Sequence, residues 1–178
     1  MFLSGVQFRI RLDSRLKHAG MTDFGWGITV TQQAAGNRPT EIEIYKGRPI
    51  FYSLGNFIFQ NETVGFFPAD AYERFDLDSR ATPADFLDAR TDRDTKGHPG
   101  DPLYWENIVA RCHFREKKLA EVRLYPIDQG HGRPRGQRGR PLLAEGEVGN
   151  RVLQRVQRLS RLHGTEVEIR GGVGLVRL

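Results

Sequence analysis

Few side chains in this sequence are spaced for chemistry. The five histidines, His18, His98, His113, His131 and His163, are scattered, and no two lie within four residues of each other. There is no His-x-His, no His-Glu-x-x-His and no Gly-Asn-His pattern, so nothing supports a self-contained metal site. The single cysteine, Cys112, excludes an internal disulfide and a cysteine-rich zinc site, and on an apolar strand face it reads as core. Asp128 and His131, three residues apart, are spaced to pair in a turn, but no nucleophile accompanies them.

Two segments remain. Between Gly130 and Arg140 the arginines Arg133, Arg135, Arg138 and Arg140 sit on a Gly-rich backbone with no acidic residue among them. Guanidinium forks and free N–H groups there suit anion contact, although Pro134 removes one donor and the Gly-Lys-Ser/Thr ending of a P-loop is missing. The competing reading is that these arginines pair with the acidic stretch 60–104, or simply cover a sheet edge in solvent. The other segment is Ser53-Leu54-Gly55-Asn56-Phe57, where Ser53 and Asn56 flank a glycine inside an otherwise apolar stretch. Buried polar side chains need partners. These two either satisfy a backbone kink at Gly55 or face a pocket, and the physics favours the kink.

The elements that must position these residues follow from periodicity. Residues 41–45 alternate as a half-buried strand, Lys46-Gly47-Arg48-Pro49 is turn material, and residues 50–54 make a second strand, so a β-hairpin is expected. Phe57-Ile58-Phe59 should resume the strand, and 50–59 should lie in a core. Pro68–Arg74 and Thr82–Leu87 read as short helices, the second with Thr82 as N-cap. Residues 105–114 and 119–127 form a second hairpin, with Ile108, Ala110, Cys112 and Phe114 on one face and Ala120, Val122 and Leu124 on its partner's. Val148, Val152, Val156, Leu159 and Leu162 recur at helical spacing, with Arg151, Arg155, Arg158 and Arg161 mostly outside the stripe and Gly164 as the stop. Residues 165–170 and 173–178 around Gly171-Gly172 read as a terminal hairpin. Before Glu41 only Val6–Leu12 alternates, and scattered glycines break every other pattern.

The chain has 178 residues, which fits one domain, and 38% of them are hydrophobic. No run approaches the roughly 18 apolar residues of a membrane span. The start, Met1 to Val6, is too short for a signal peptide, so the chain as it stands reads as cytoplasmic. Its net charge of +5 is uneven: +3 over 1–40, −5 over 41–104 and +7 over 105–178. The basic C-terminal part suits a polyanion, but no zinc-finger, bZIP or RNP-type signature supports specific nucleic-acid binding.

Glu41-Ile42-Glu43-Ile44-Tyr45-Lys46-Gly47-Arg48-Pro49-Ile50-Phe51-Tyr52-Ser53-Leu54-Gly55-Asn56-Phe57-Ile58-Phe59 closely resembles the signature near the C-terminal end of the CapA family, the capsule or poly-γ-glutamate synthesis proteins with a metallophosphatase-like fold. The resemblance continues through Tyr104-Trp105-Glu106, residues 119–128, Gly139-Arg140-Pro141 and residues 164–169, covering roughly 41–178. It implies an α+β chain of β-hairpins with a C-terminal amphipathic helix, resembling the C-terminal part of a metallophosphatase-like αββα sandwich. In the complete family protein it implies a divalent metal pair that activates water or polarises a phosphoryl or acyl group. The family's Gly-His-x-x-His-type motif normally precedes the Glu-Ile-Tyr-Lys-Gly strand. Here residues 31–40 hold no histidine, and His18 stands 23 residues before Glu41.

The expected division is a divergent, restarted or out-of-frame leader at 1–40, less ordered than residues 41–60, and a CapA-like C-terminal region at 41–178. The resemblance is to metal-dependent phosphatases and hydrolases, while the metal ligands such an enzyme needs are missing from this chain. No metal or other cofactor is therefore expected in it. Ser53 and Asn56 carry over as near-site candidates. With the rest of the sandwich absent, Phe51, Phe57, Phe59, Phe66 and Phe67 would lack neighbours, and an exposed apolar sheet would invite self-association. The alternative is a non-catalytic module that binds an anionic polymer, poly-γ-glutamate in the family context, through Arg133, Arg135, Arg138 and Arg140.

Overall fold

The alternation at 41–45 becomes strand β2 (Ile42–Tyr45), which turns straight back as β3 (Arg48–Phe51). Ile42 lies opposite Phe51, and Tyr45 opposite Arg48. The turn therefore has two residues rather than the four expected. Lys46 and Gly47 both adopt left-handed backbone, φ 49° and 72°, a geometry whose twist matches that of paired strands. Pro49 falls inside β3 opposite Ile44, whose N–H points away from β3 to the hydroxyl of Thr165 at 3.1 Å. At such a non-bonded pair the missing proline N–H costs no ladder bond. The Ile42 N–H likewise donates to Ser160 Oγ at 2.9 Å.

The structure, a computed structural model, describes residues 25–27, 39 and 41–178. Apart from residues 25–27 and 39, the expected 1–40 leader, with the strand expected at Val6–Leu12 and His18, lies outside the described residues. Strand β1 (Gly25–Gly27) begins an antiparallel sheet with β4 (Glu106–Arg115), β5 (Lys118–Asp128), β6 (Leu142–Leu143), β7 (Val167–Arg170) and β8 (Val173–Val176). The order is β1-β4-β5-β8-β7, and β6 pairs with the end of β5. Two-residue turns with positive φ close both hairpins, Glu116-Lys117 between β4 and β5 and Gly171-Gly172 between β7 and β8.

One strand face differs from the expected one. The β4–β5 register pairs His113 with Glu121 and Phe114 with Leu119, so Ala120 is the extra residue of a β-bulge. Leu119 thus joins Val122 and Leu124 on the core side, and Ala120 is exposed.

Helix α3 (Gly146–Ser160) lies across the sheet, with Val152, Leu153 and Val156 fully buried against a core that includes Ala110, Cys112, Val122, Leu124, Val167 and Val176. Ile42, Phe51 and Leu54 of the first hairpin enter the same core beside the helix. The architecture is α+β. Leu162 departs from the expected stripe and is 79% exposed. It sits in the 3₁₀ turn at Arg161–His163, where each residue advances by a third of a turn and the α-helical spacing no longer applies. Leu153 takes the buried place that the stripe did not include.

The opposite sheet face is mixed, with Arg111, His113, Glu121, Arg123, Glu168 and Arg170 set among half-buried Val109, Tyr125, Val173 and Leu175. Three exposed apolar groups gather in the irregular stretch after Leu54, where Phe57 and Ile58 are more than half exposed and Phe66 is 83% exposed, while Tyr45, Leu143, Leu162 and Leu178 are exposed singly elsewhere. Phe57-Ile58-Phe59 does not resume a strand, and of the three only Phe59 is buried. Phe51 and Phe59 have their neighbours within this chain, contrary to expectation.

The acidic stretch contains α1 (Ala69–Glu73) and α2 (Pro83–Thr91). Thr82 caps α2 in a full capping box with Asp85, as its position before Pro83 implies. Phe67, Tyr72 and Phe75 gather around Phe86 with ring centroids 4.2, 5.5 and 5.5 Å away, a small aromatic cluster separate from the main core. Among the described residues no helix is long and apolar enough to cross a membrane.

Candidate functional site

The chain leaves β3 and kinks at Gly55, which has φ +79°. Ser53 is buried, and its Oγ accepts the Gly55 N–H at 3.2 Å. The next amide, that of Asn56, donates to Asn107 Oδ1 at 3.0 Å. The approach is so close that a Cβ on Gly55 would stand 1.8 Å from that oxygen. Glycine is thus needed twice, for the left-handed backbone and for the space. The Leu54 carbonyl accepts the Ile108 N–H at 3.2 Å, which ties the kink to the start of β4.

Gln129, just past β5, holds the rear of the kink. Its Nε2 donates to the carbonyls of Asn56 and Phe57, both at 2.8 Å, while its Oε1 accepts from Asn107 Nδ2 at 3.0 Å. Its own N–H donates to the Trp105 carbonyl at 2.9 Å, and its carbonyl accepts the Gly139 N–H at 2.7 Å. Asn107 and Gln129 are almost wholly buried, and each amide group is used on both sides. Asn56 is the exception: its Nδ2 is buried and has no hydrogen-bond partner among the described residues. The expected kink is therefore present with Ser53 serving it, and Asn56 contributes its backbone and leaves one amide donor unused.

Beside this network lies Glu106, the first residue of β4, buried under two arginines of α3. Arg151 reaches Glu106 Oε1 at 2.9 Å through Nε and at 2.5 Å through Nη2, and Arg155 Nη1 reaches Oε2 at 2.8 Å. A buried carboxylate needs such partners. The hydrogen bond to Glu106 and the charge it carries raise Arg151 above the ordinary arginine range. These two arginines, read from the sequence as lying off the helix's apolar stripe, fold over its flank onto the end of the sheet.

The arginine loop divides. Arg135 Nη2 contacts Asp88 at 2.6 Å and Asp94 at 2.9 Å. Arg138, with 3% of its side chain exposed, contacts Glu62 at 2.8 Å and Asp94 at 3.0 Å and stacks over Trp105 at 5.0 Å. Burial pushes the Asp94 carboxyl up, but its bonds to Arg138 and Arg135 outweigh this and hold it below the ordinary range. Arg133 and Arg140 are exposed, with Arg133 3.8 Å from Asp128. Asp128 also accepts the Gly130 N–H at 2.7 Å, which gives its carboxylate partners other than the expected His131. Arg135 and Arg138 thus meet the acidic stretch, and Arg133 and Arg140 face solvent.

Asn107, Gln129 and Glu106 were not singled out by sequence reasoning. The structure buries four successive residues, Trp105 to Ile108, and the sequence gives no sign of it, because Glu106 and Asn107, being polar, read as solvent-facing in a half-exposed strand. Among the described residues, no three His, Cys, Asp or Glu side chains come together as a metal site. The kink offers one hydroxyl already in use and one carboxamide, which is not a donor set for a divalent metal pair, so no chemical step is derived through one.

No family model matches the chain. The uncharacterized proteins y4sH and y4uA of Sinorhizobium fredii (strain NBRC 101917 / NGR234) are each 42% identical to it over 149 residues, covering 77% of this chain and 31% of theirs. The chain spans about a third of the length of these relatives.

Proposed function

We propose that this chain is the C-terminal portion of a CapA-type, metallophosphatase-like protein of capsule or poly-γ-glutamate synthesis, lacking the metal centre and inactive alone. One observation carries the reading. The Ser53–Phe57 kink, within the segment that resembles the family signature, is braced from behind by Asn107 and Gln129, while Asn56 Nδ2 is left without a partner. A turn held this firmly on one side and short of a partner on the other suits a wall completed by further chain. The span of about a third of the relatives' length fits only the coarser part of this reading, a portion of a longer protein.

The test uses the chain alone and a chimera in which it replaces the matching segment of y4sH. With manganese and a generic phosphodiester, the chain alone is expected to bind no stoichiometric metal and give no turnover. The chimera is expected to do both, with Asn56→Ala lowering its rate. Turnover by the chain alone refutes the proposal, as does a metal-free, inert y4sH.

A second reading is favoured by a separate observation: the arginine loop already grips carboxylates, with Asp88, Asp94 and Glu62 held by Arg135 and Arg138. In this reading the chain is a non-catalytic polyanion-binding module. Arg133 and Arg140 supply its exposed contacts, which are individually weak, additive and sensitive to salt.

A further inference from the structure

Residues 67–96 hold much of the chain's acidic charge, and their rings are packed on one another around Phe86. The ion pairs that join this unit to the sheet body run to Arg135 and Arg138. Arg135 Nη1 also approaches the Ala84 carbonyl, in the first turn of α2, at 3.5 Å. The two arginines differ in access. Arg138 is enclosed by Glu62, Asp94 and Trp105 and acts as a fixed post. Arg135 has 24% of its side chain exposed and Asp88 has 50%, so solvent, salt and rival anions reach that pair.

The acidic side of the clasp is built with backbone strain. Asp92, Arg93 and Asp94 take left-handed φ values of 48°, 53° and 65° in succession, and the Asp94 N–H is received by Thr91 Oγ1 at 3.2 Å. Non-glycine residues keep such a conformation only where the surroundings fix it. Here it delivers one carboxylate between two guanidinium groups.

We propose that residues 67–96 form an autoinhibitory cover, in which Asp88 and Asp94 fill, at Arg135, the seats that a carboxylate polymer would otherwise take. The proposal rests on the second reading, that the arginine loop binds polyanions. The ligand class is a polycarboxylate because both seats now hold carboxylate oxygens, at 2.6 and 2.9 Å. Binding of such a polymer displaces the cover from Arg135 while Arg138 keeps its post. Arg133 and Arg140, already exposed on the same loop, make first contact.

The test measures binding of fluorescent poly-L-glutamate to the full chain by anisotropy at low salt. The Asp88→Asn, Asp94→Asn double variant is expected to bind more tightly, by about two- to five-fold for each carboxylate removed. Adding Arg135→Gln should abolish that gain. Arg133→Gln with Arg140→Gln should weaken binding of the parent chain. If that second pair weakens binding while the aspartate variant binds no better than the parent, the cover is overturned and the loop reading stands. If neither the parent nor any variant binds, both are overturned. Should the double variant lose its fold by circular dichroism, Asp88→Asn alone serves, because Asp88 is half exposed, and an unchanged affinity there also overturns the cover. Hydrogen exchange gives a second readout: bound poly-L-glutamate should lower protection of α2, and binding without that loss overturns the proposal.

Discussion

Replacing Gly55 by alanine tests whether the kink is a matter of backbone freedom alone or of room for Asn107. An alanine at φ +79° carries left-handed strain of about 1 kcal/mol or slightly more. Its Cβ would also fall 1.8 Å from Asn107 Oδ1, inside any contact distance, and Asn107 is buried. Asn107 must then move, which breaks its bond from the Asn56 N–H and its donation to Gln129, both 3.0 Å. Each buried group left unpaired costs about 1–3 kcal/mol, so the variant should lose about 3–6 kcal/mol in all. Gly47→Ala is the control, since its φ of +72° is similar and nothing lies within 4 Å of the added methyl, which leaves only the strain of about 1 kcal/mol. Urea unfolding followed by circular dichroism, at constant m, gives both values. If the two variants match within about 1 kcal/mol, the proposed close approach of Asn107 does not constrain residue 55, and the account of the network is wrong.

Three further outcomes rest on the same geometry. Glu106→Gln leaves Arg155 charged and nearly buried, so it should cost about 3–5 kcal/mol, whereas Arg151→Gln, at a side chain 47% exposed, should cost much less; equal losses in thermal melts would contradict the buried-pair account. Burial pushes the Cys112 thiol up to about 11, so a disulfide reagent at pH 8 should react only after urea unfolds the chain, and prompt reaction of the native protein would place the thiol outside the core. Asp94 is held below the ordinary carboxylate range, so its contribution to stability is present above the unfolded value of about 4 and is lost as pH falls through its lower folded value; the Arg135 side-chain NMR signals should therefore shift only in that acid window, and a shift centred above about pH 5 would reject the pairing.

The elements that formed as expected are those fixed by local rules. The Gly171-Gly172 turn, the cap at Thr82 and the stop at Gly164 each depend on one or two residue types. The misreadings arose where a local irregularity shifted the period. The bulge at Ala120 moved every preceding side chain of β5 to the other face, and the 3₁₀ turn took Leu162 off the helix stripe. The candidate site was legible at one end only. Ser53, Gly55 and Asn56 stand out as polar and glycine residues within an apolar run, but their supports, Asn107 and Gln129, lie 51 and 73 residues from Asn56, and no local pattern links them. The partners of Arg135 and Arg138 were foreshadowed by charge alone, since the acidic stretch was the obvious counterweight to an arginine run. Which arginine would pair was decided by the left-handed turn at Asp92–Asp94, and none of those three residues is a glycine.

The hydroxyls of Ser160 and Thr165 have a consequence for how the first hairpin behaves among its own copies. An isolated two-stranded ribbon normally offers a row of unpaired amides to any passing strand, which is how aggregates and amyloid begin. On β2 two of those amides, at Ile42 and Ile44, are sealed by side chains from the end of α3 and the start of the terminal hairpin. On β3 the amide opposite Ile44 is missing altogether, because the residue there is Pro49. The ribbon is therefore blunted on both sides by three residues that do not belong to its turn. Exchanging Ser160 for alanine and Thr165 for valine would nearly keep the volume and strip the seal, leaving an edge open to pairing with a further strand.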